Sequence, residues 1–493
     1  MEHSRMTTAT VNTARARPLR LQDSDRILSE TECRAIAERA FAFARGGGET
    51  KVFLSSWWNG ELRWARNRTS LAADRRDLRV IVRRTVGVGE GNVVTNQVDD
   101  ASLEAVVRAA ERSAILSPRI EHPLPYEPPL PRGKWAETAI WSDATYDLST
   151  EARGEVVRRL LESADAKGML SAGYLEARAG ARMTISSLRP DDSSALWDTP
   201  YQKWTQAHCS MTVRDAKGTG SGWAGLSSYD WNAIDADALA RRALGKCLAS
   251  QNPVALEPGR YTVILDSQAV ADLMEVFAKS LLRQRAENGQ GPWALAQDDA
   301  LGIWRTKLGL KVADSRITIS HDPMDPMLGI VPAEPWMEPI TWIDRGILTD
   351  LAYRRPYAVE KLNENASGRD MIGYRMSGGK TSVEEMIATT RRGLLVTRFS
   401  NIRMLDGTSL VSTGLTRDGL WLIENGKITK PVKNFRFTES PLFMLNSIEQ
   451  LGEAVPVFRP VEDPYERDYP LTPAIVPTIK SRDFSFTSTI DAI

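Results

Sequence analysis

Apolar positions spaced three and four apart from residue 30 to 45 predict an amphipathic helix, stopped by Gly46-Gly47-Gly48. Two alternating runs, 51–58 and 61–68, predict strands, and Asn59-Gly60 between them predicts a tight hairpin. Residues 78–86 form another strand-like run, which passes through the glycine-rich turn Gly87-Val88-Gly89-Glu90-Gly91 into 93–97. Asp99 and Asp100 then offer caps for a helix across 103–116. The same order returns downstream. A helix over 149–167 with Val156, Val157, Leu160 and Leu161 on one face is followed by strands in 174–187 and 208–213. Gly218, Gly220 and Gly222 lead to a strand at 223–227, and Asp235 and Asp237 open a helix over 238–248. This reads as a duplication of one α+β unit.

After Pro253 the pattern changes. Residues 261–265 predict a buried strand, and Asp266 a cap for a helix reaching about Glu287, striped by Val270, Leu273, Phe277 and Leu281. Short strands follow at 317–320, 339–343, 394–399, 409–413, 421–424 and 432–437. Asn425-Gly426 predicts a second tight hairpin, and Ser440-Pro441 a capped helix over 442–451. The fold class is α+β: a duplicated N-terminal α+β region, then a β-rich C-terminal domain forming a twisted sheet or partial barrel. The expected boundaries are a disordered tail over 1–22, units at 23–120 and 149–252, a proline-rich connector at 121–148, and the β-rich domain at 253–493.

Lys plus Arg and Asp plus Glu each total 63, so no net field draws nucleic acid or an anionic membrane. No apolar run approaches a membrane span, and the Arg-, Ser- and Thr-rich N-terminus lacks the apolar stretch of a secretory signal. Cys33, Cys209 and Cys247 are too scattered for a disulfide framework. A soluble cytoplasmic protein with buried, inert thiols is expected.

Zinc peptidases commonly place two histidines one helical turn apart with a glutamate beside the first. The four histidines here are His3, His122, His208 and His321, and no two share a turn. His208 and Cys209 are neighbours in a strand pattern, so they point to opposite faces. His321-Asp322-Pro323 could hold a metal, but a turn-capping pair is the commoner role. The 87–91 glycines lack the third glycine of a dinucleotide fingerprint, because position 92 is Asn. Ser377-Gly378-Gly379-Lys380 matches Ser-x-x-Lys, yet two glycines make a poor helix start for such a nucleophile. From 393 to 452, strands carry Arg398, Arg403, Arg417, Lys433 and Arg436; this is either a solvated sheet face or a cleft whose edges pair with an extended peptide.

That segment, with Leu422-Ile423-Glu424-Asn425-Gly426-Lys427-Ile428 and Pro431-Val432-Lys433-Asn434, resembles the TldD/PmbA family. So do Trp64-Ala65-Arg66-Asn67, Thr95-Asn96, the strand at 259–265 with its following helix, and Asp344-Arg345-Gly346-Ile347-Leu348. The resemblance spans roughly residues 25–465 and implies intracellular proteolysis of peptides by a two-component complex. In the metal-bearing type, His-Glu-x-x-x-His lies on the helix after the Gly-x-Tyr strand, with a distant cysteine ligand. Here residues 267–287 contain no histidine, and every cysteine precedes residue 248. The resemblance therefore implies a PmbA/TldE-like subunit, inactive alone, with no cofactor of its own and zinc only in a TldD-type partner. Its substrates would be extended or unfolded peptides, and Thr416, Arg417, Asn434 and Arg436 the residues that bind them. Alternatives are a stand-alone peptide-binding protein, or a hydrolase using Ser377 and Lys380 or the carboxylates Glu275 and Glu287.

Overall fold

Side-chain caps fix where the helices of the first half begin. In the computed structural model, which describes residues 27–87, 89–117, 140–187, 199–298, 303–329, 338–363, 373–457 and 473–490 with 130–131, 195–196, 368–369 and 371 besides, Ser29 opens α1 (Glu30–Phe43) through a reciprocal box with Glu32. Asp99 accepts from the Ser102 N–H at the start of α2 (Asp100–Leu116). Beyond the short α3 (Asp143–Tyr146), Ser149 and Asp235 do the same for α4 (Thr150–Asp165) and α5 (Ala236–Ala249). Each such bond is worth about 1 kcal/mol.

These helices cover one face of a six-stranded sheet built from β1 (Thr50–Ala65), β2 (Arg68–Val86), β3 (Gly89–Thr95), β5 (Met169–Ser186), β7 (Thr199–Asp215) and β8 (Ser221–Ser228). A two-residue pair, β4 (Leu130–Pro131) with β6 (Ala195–Leu196), stands apart. The order β3-β2-β1-β5-β7-β8 is antiparallel throughout and repeats about its middle: β1 matches β5, β2 matches β7, and β3 matches β8. Two details prove the equivalence. A Cβ on Gly91 would lie 2.2 Å from the Ala110 carbonyl of α2, and one on Gly222 would lie 2.1 Å from the Ala243 carbonyl of α5. The Glu90 N–H donates to Ser117 (2.7 Å), and the Ser221 N–H donates to Ser250 (3.0 Å). The duplication predicted from the pattern is thus a pseudo-twofold sheet.

The helix-covered face is apolar, with Val52, Leu54, Trp58 and Leu62 of β1 buried against it. The other face buries Asn59, Glu176, Arg178, Gln206 and His208. His208 and Cys209 do face opposite ways: Cys209 is in the helix-side core, whereas His208 pairs its Nδ1 with Ser227 Oγ at 2.8 Å.

The second half is a 13-stranded open sheet, antiparallel except where β15 meets β23 and β9 meets β16. It begins with β9 (Gly259–Leu265), α6 (Ser267–Ala278) and α7 (Arg283–Glu287), followed by a separate hairpin of β10 (Ala294–Asp298) and β11 (Ile303–Thr306). Next come β12 (Ile319–His321), β13 (Ile340–Asp344), β14 (Ile347–Leu348), α8 (Arg355–Tyr357), β15 (Tyr374–Met376) and α9 (Val383–Ala388). The densest stretch holds β16 (Arg392–Val396), β17 (Phe399–Asp406), β18 (Val411–Thr416), β19 (Leu420–Glu424), β20 (Lys427–Pro431) and β21 (Phe435–Glu439). After α10 (Pro441–Asn446) and β22 (Ile448–Pro456), β23 (Ala474–Thr489) runs through the middle and pairs with β9, β15, β21 and β22. Leu273, Met274 and Phe277 of α6 pack beneath it with Phe399, Phe435, Phe437, Phe484 and Phe486. The α+β class and the twisted open sheet hold, with no closed barrel among the described residues.

Four expectations change. Asn59-Gly60 is not a turn: β1 runs straight through it, and the hairpin turns at Arg66-Asn67, both at positive φ (51° and 58°). Gly60 is instead the spot where the Arg153 guanidinium crosses the strand, 2.1 Å from where a Cβ would stand. The helix from Asp266 breaks after Ala278, because the Ser280 N–H and hydroxyl both fall on the Phe277 carbonyl and Leu282 bridges to Ala352. The helix over 442–451 stops at Asn446, and 448–456 becomes β22 because β23 supplies it a strand partner. The strand expected over 432–437 starts only at Phe435, in β21, after β20 has ended at Pro431. The expected tail, His3, His122 and most of the proline-rich connector lie outside the described residues.

Candidate functional site

The two sheets meet where β8 and α5 reach the β18–β19 turn. Asp418, at φ 55° and 2% exposed, fills that turn. Its carboxylate accepts the Ser221 hydroxyl (2.8 Å) and lies 3.4 Å from Arg398 Nη1. The Arg398 guanidinium stacks 4.3 Å over Trp223 of β8. Trp421 Nε1 donates to the Ala249 carbonyl at the end of α5 (2.9 Å). A cavity of about 280 Å³ opens beside Asp418, between the Gly218–Ser221 turn and Lys433-Asn434.

Asp272 of α6 approaches from below. Its carboxylate accepts the Phe399 N–H (2.9 Å) and the Gln268 amide (2.8 Å). Burial pushes this carboxyl up to about 6, against the pull of Arg398 and the two hydrogen bonds. The Arg398 Nε and the Ser400 hydroxyl are buried without a hydrogen-bond partner among the described residues. The corner therefore offers a carboxyl poised near neutrality, an arginine and unused polar groups. A buried donor left unpaired costs roughly 1–3 kcal/mol.

Of the four residues expected to bind peptide, two come together. The Thr416 hydroxyl donates to Asn434 Oδ1 (3.1 Å) and accepts the Phe435 N–H (2.9 Å). Asn434 lines the cavity, but Thr416 is fully buried and shapes it from behind. Arg417 is half-buried, its N–H held by the Arg398 carbonyl. Arg436 alternates with inward Phe435 and Phe437, so it faces solvent, its guanidinium 3.4 Å from Thr413 Oγ1. The sequence reading does not name Asp272 or Asp418 for the site, and names Arg398 only among the arginines of a possible cleft. Only Asp272 carried a local sequence signal, its place between Ala271 and Leu273, since a charge inside a buried stripe needs a partner.

The other candidates are occupied. Ser377 follows β15 and its hydroxyl bridges the Arg316 carbonyl (2.7 Å) and the Thr318 N–H (2.8 Å). Glu275 pairs with Lys279 (2.6 Å), and Glu287 with Arg283 (2.9 Å) and the Tyr357 hydroxyl. His321 is buried with Nδ1 3.2 Å from the Gly373 carbonyl, while Asp322 caps the Met324 N–H (2.9 Å). No group of three or more His, Cys, Asp or Glu gathers as a metal-binding set among the described residues. The α6 helix presents Gln268, Asp272, Glu275 and Lys279 on its polar stripe, which does not make a two-histidine zinc set. All three thiols are buried, and burial lifts Cys33 and Cys209 to about 12. No helix among the described residues is long and apolar enough to cross a membrane.

Residues 258–488 match the family described as the PmbA/TldA metallopeptidase C-terminal domain. Among solved structures, a putative modulator of a DNA gyrase from Thermotoga maritima superposes with a TM-score of 0.73 at 16% identity, covering 92% of this chain and 100% of its own. TldE from Thermococcus kodakarensis gives 0.72 at 17%, covering 92% and 99%. A putative modulator of DNA gyrase from Bacteroides thetaiotaomicron gives 0.70 at 17%, covering 93% and 100%. No curated protein matches. The family match begins one residue before β9 and takes in α6, Asp272, Arg398 and Asp418, and the fold shared with the solved structures extends over the duplicated sheet as well; the second half of the chain is similar to the PmbA/TldA metallopeptidase C-terminal domain.

Proposed function

We propose that this chain is the PmbA/TldE-type subunit of a peptidase complex: it holds an extended peptide in the cavity beside Asp418, Lys433 and Asn434, and a histidine-bearing TldD-type subunit supplies the zinc. One observation carries this reading. The helix that follows β9 keeps its place under the sheet but offers Gln268, Asp272 and Glu275 in place of histidines. Without a metal, the residues here bind and orient. The Lys433 ammonium and the Asn434 amide on the cavity wall suit peptide carbonyls, and the Asp418 carboxylate suits a peptide N–H.

The test is reconstitution. The chain purified alone is expected to carry a zinc-to-protein ratio near zero and no peptidase activity. Mixed with a histidine-bearing family member, it is expected to co-elute as a stable complex that cleaves unfolded peptides. A ratio near one that survives mild chelation, or failure to form any complex with such members, sinks the proposal. Tight peptide binding by the chain alone, with no complex, favours a stand-alone binding protein.

A further inference from the structure

A second cavity, of about 360 Å³, lies on the far side of Trp421, between α5 and the outer face of β16, β19 and β20. Ala249, Val383, Leu395, Trp421 and Ile428 give it apolar walls. Its remaining polar groups are mostly committed elsewhere. The Trp421 indole N–H is spent on the Ala249 carbonyl, and the Thr397 hydroxyl on the carbonyls of Asp418 (3.2 Å) and Gly419 (3.3 Å).

Two charges of opposite sign remain, Lys246 and Asp266. Their nearest approach is 3.9 Å, at the outer limit of an ion pair, with side chains 21% and 42% exposed. Asp266 stands at the cap position of α6, yet its carboxylate makes no capping bond there. Burial lowers the Lys246 ammonium's hold on its proton, and Asp266 opposes this. A loosely closed plus–minus pair at the mouth of an apolar chamber is complementary to a small zwitterion with an apolar tail. The volume falls within the range of small-molecule sites.

We propose that this cavity binds a free α-amino acid with an apolar side chain, its carboxylate on Lys246, its ammonium on Asp266, and its side chain against Trp421 and Leu395. The site goes beyond the subunit role and does not rest on it, because the single chain already contains every residue involved.

Calorimetric titration of the full chain with L-leucine and L-phenylalanine tests it. Saturable binding is expected. Leucinamide, 4-methylpentanoate and the dipeptide Leu-Gly each lack one part of the adjacent charge pair and should bind roughly tenfold more weakly or worse. Lys246→Met and Asp266→Asn should each weaken leucine to a similar degree. Ile428 is 46% exposed at the rim, so Ile428→Arg should fold normally and block the mouth, which keeps the test valid if Lys246→Met fails to fold. No saturable binding of either amino acid overturns the proposal. So does equal affinity for leucinamide or Leu-Gly, or leucine affinity unchanged in both Asp266→Asn and Ile428→Arg.

Discussion

His208 and Asp272 are perturbed by the same cause, burial, and respond to pH in opposite senses. Burial and the Arg178 charge push His208 from 6.5 down to about 3, so the folded chain keeps it neutral. Its contribution to stability is full above 6.5 and is lost as pH falls below that value, because the unfolded chain then takes a proton the folded one refuses. Asp272 is raised from 3.8 to about 6, so the folded chain binds its proton more tightly. That contribution grows as pH falls from 6 toward 3.8, and is worth no more than roughly 3 kcal/mol. Urea midpoints between pH 4 and pH 7 should therefore lose less on acidification in His208→Gln than in the parent, and lose more in Asp272→Asn. Identical pH profiles for parent and both variants would contradict these assignments. Little of this was legible in the sequence. The strand alternation placed His208 and Cys209 on opposite faces, but burial by residues distant along the chain decides a pKa. Arg436 turns to solvent for a simpler reason: its immediate neighbours are inward phenylalanines, and alternation points it outward.

At the scale of elements, the duplicated unit was legible because its signals are local: Ser and Asp caps, helical spacing, and glycines before the edge strands. The glycines matter most. Gly91 and Gly222 let α2 and α5 lie directly on β3 and β8, where a Cβ would meet a helix carbonyl. Gly91→Ala and Gly222→Ala should each cost about 2 kcal/mol or more by forcing helix and strand apart. Chemical denaturation reads this directly, and a loss below about 0.5 kcal/mol in both would mean the contact gives way freely. The strand β23 had no such local signature. Its sixteen residues pair with partners more than two hundred positions upstream as well as with nearby β21 and β22, and partnership of that kind leaves no mark in the pattern. It also explains why residues 448–451 leave the helix expected over 442–451.

At the scale of the whole molecule, a corner ties the two sheets together: Ser221 with Asp418, Trp223 with Arg398, and Ala249 with Trp421. Removing the buried carboxylate in Asp418→Ala strands Arg398, and about 2–3 kcal/mol of stability should go with it, after allowing for the partly exposed arginine. If the second half then unfolds apart from the first, separate fluorescence and circular dichroism transitions will show it; a single unshifted transition would dismiss the corner as the joint. The pseudo-twofold sheet gives this corner an unusual comparison. Gly91 with Gly222 and Ser117 with Ser250 align the two copies. By that alignment Glu90 stands where Ser221 does, Asn92 where Trp223 does, and Leu116 where Ala249 does. Ser221, Trp223 and Ala249 touch the second half, whereas Glu90 and Asn92 are exposed and Leu116 is 61% exposed. The molecule thus carries an internal control: two versions of one scaffold, differing in whether a neighbour sits against the edge. Moving Ser, Trp and Ala onto the open copy, or Glu, Asn and Leu onto the joined one, separates what a side chain owes to its backbone from what it owes to its neighbour.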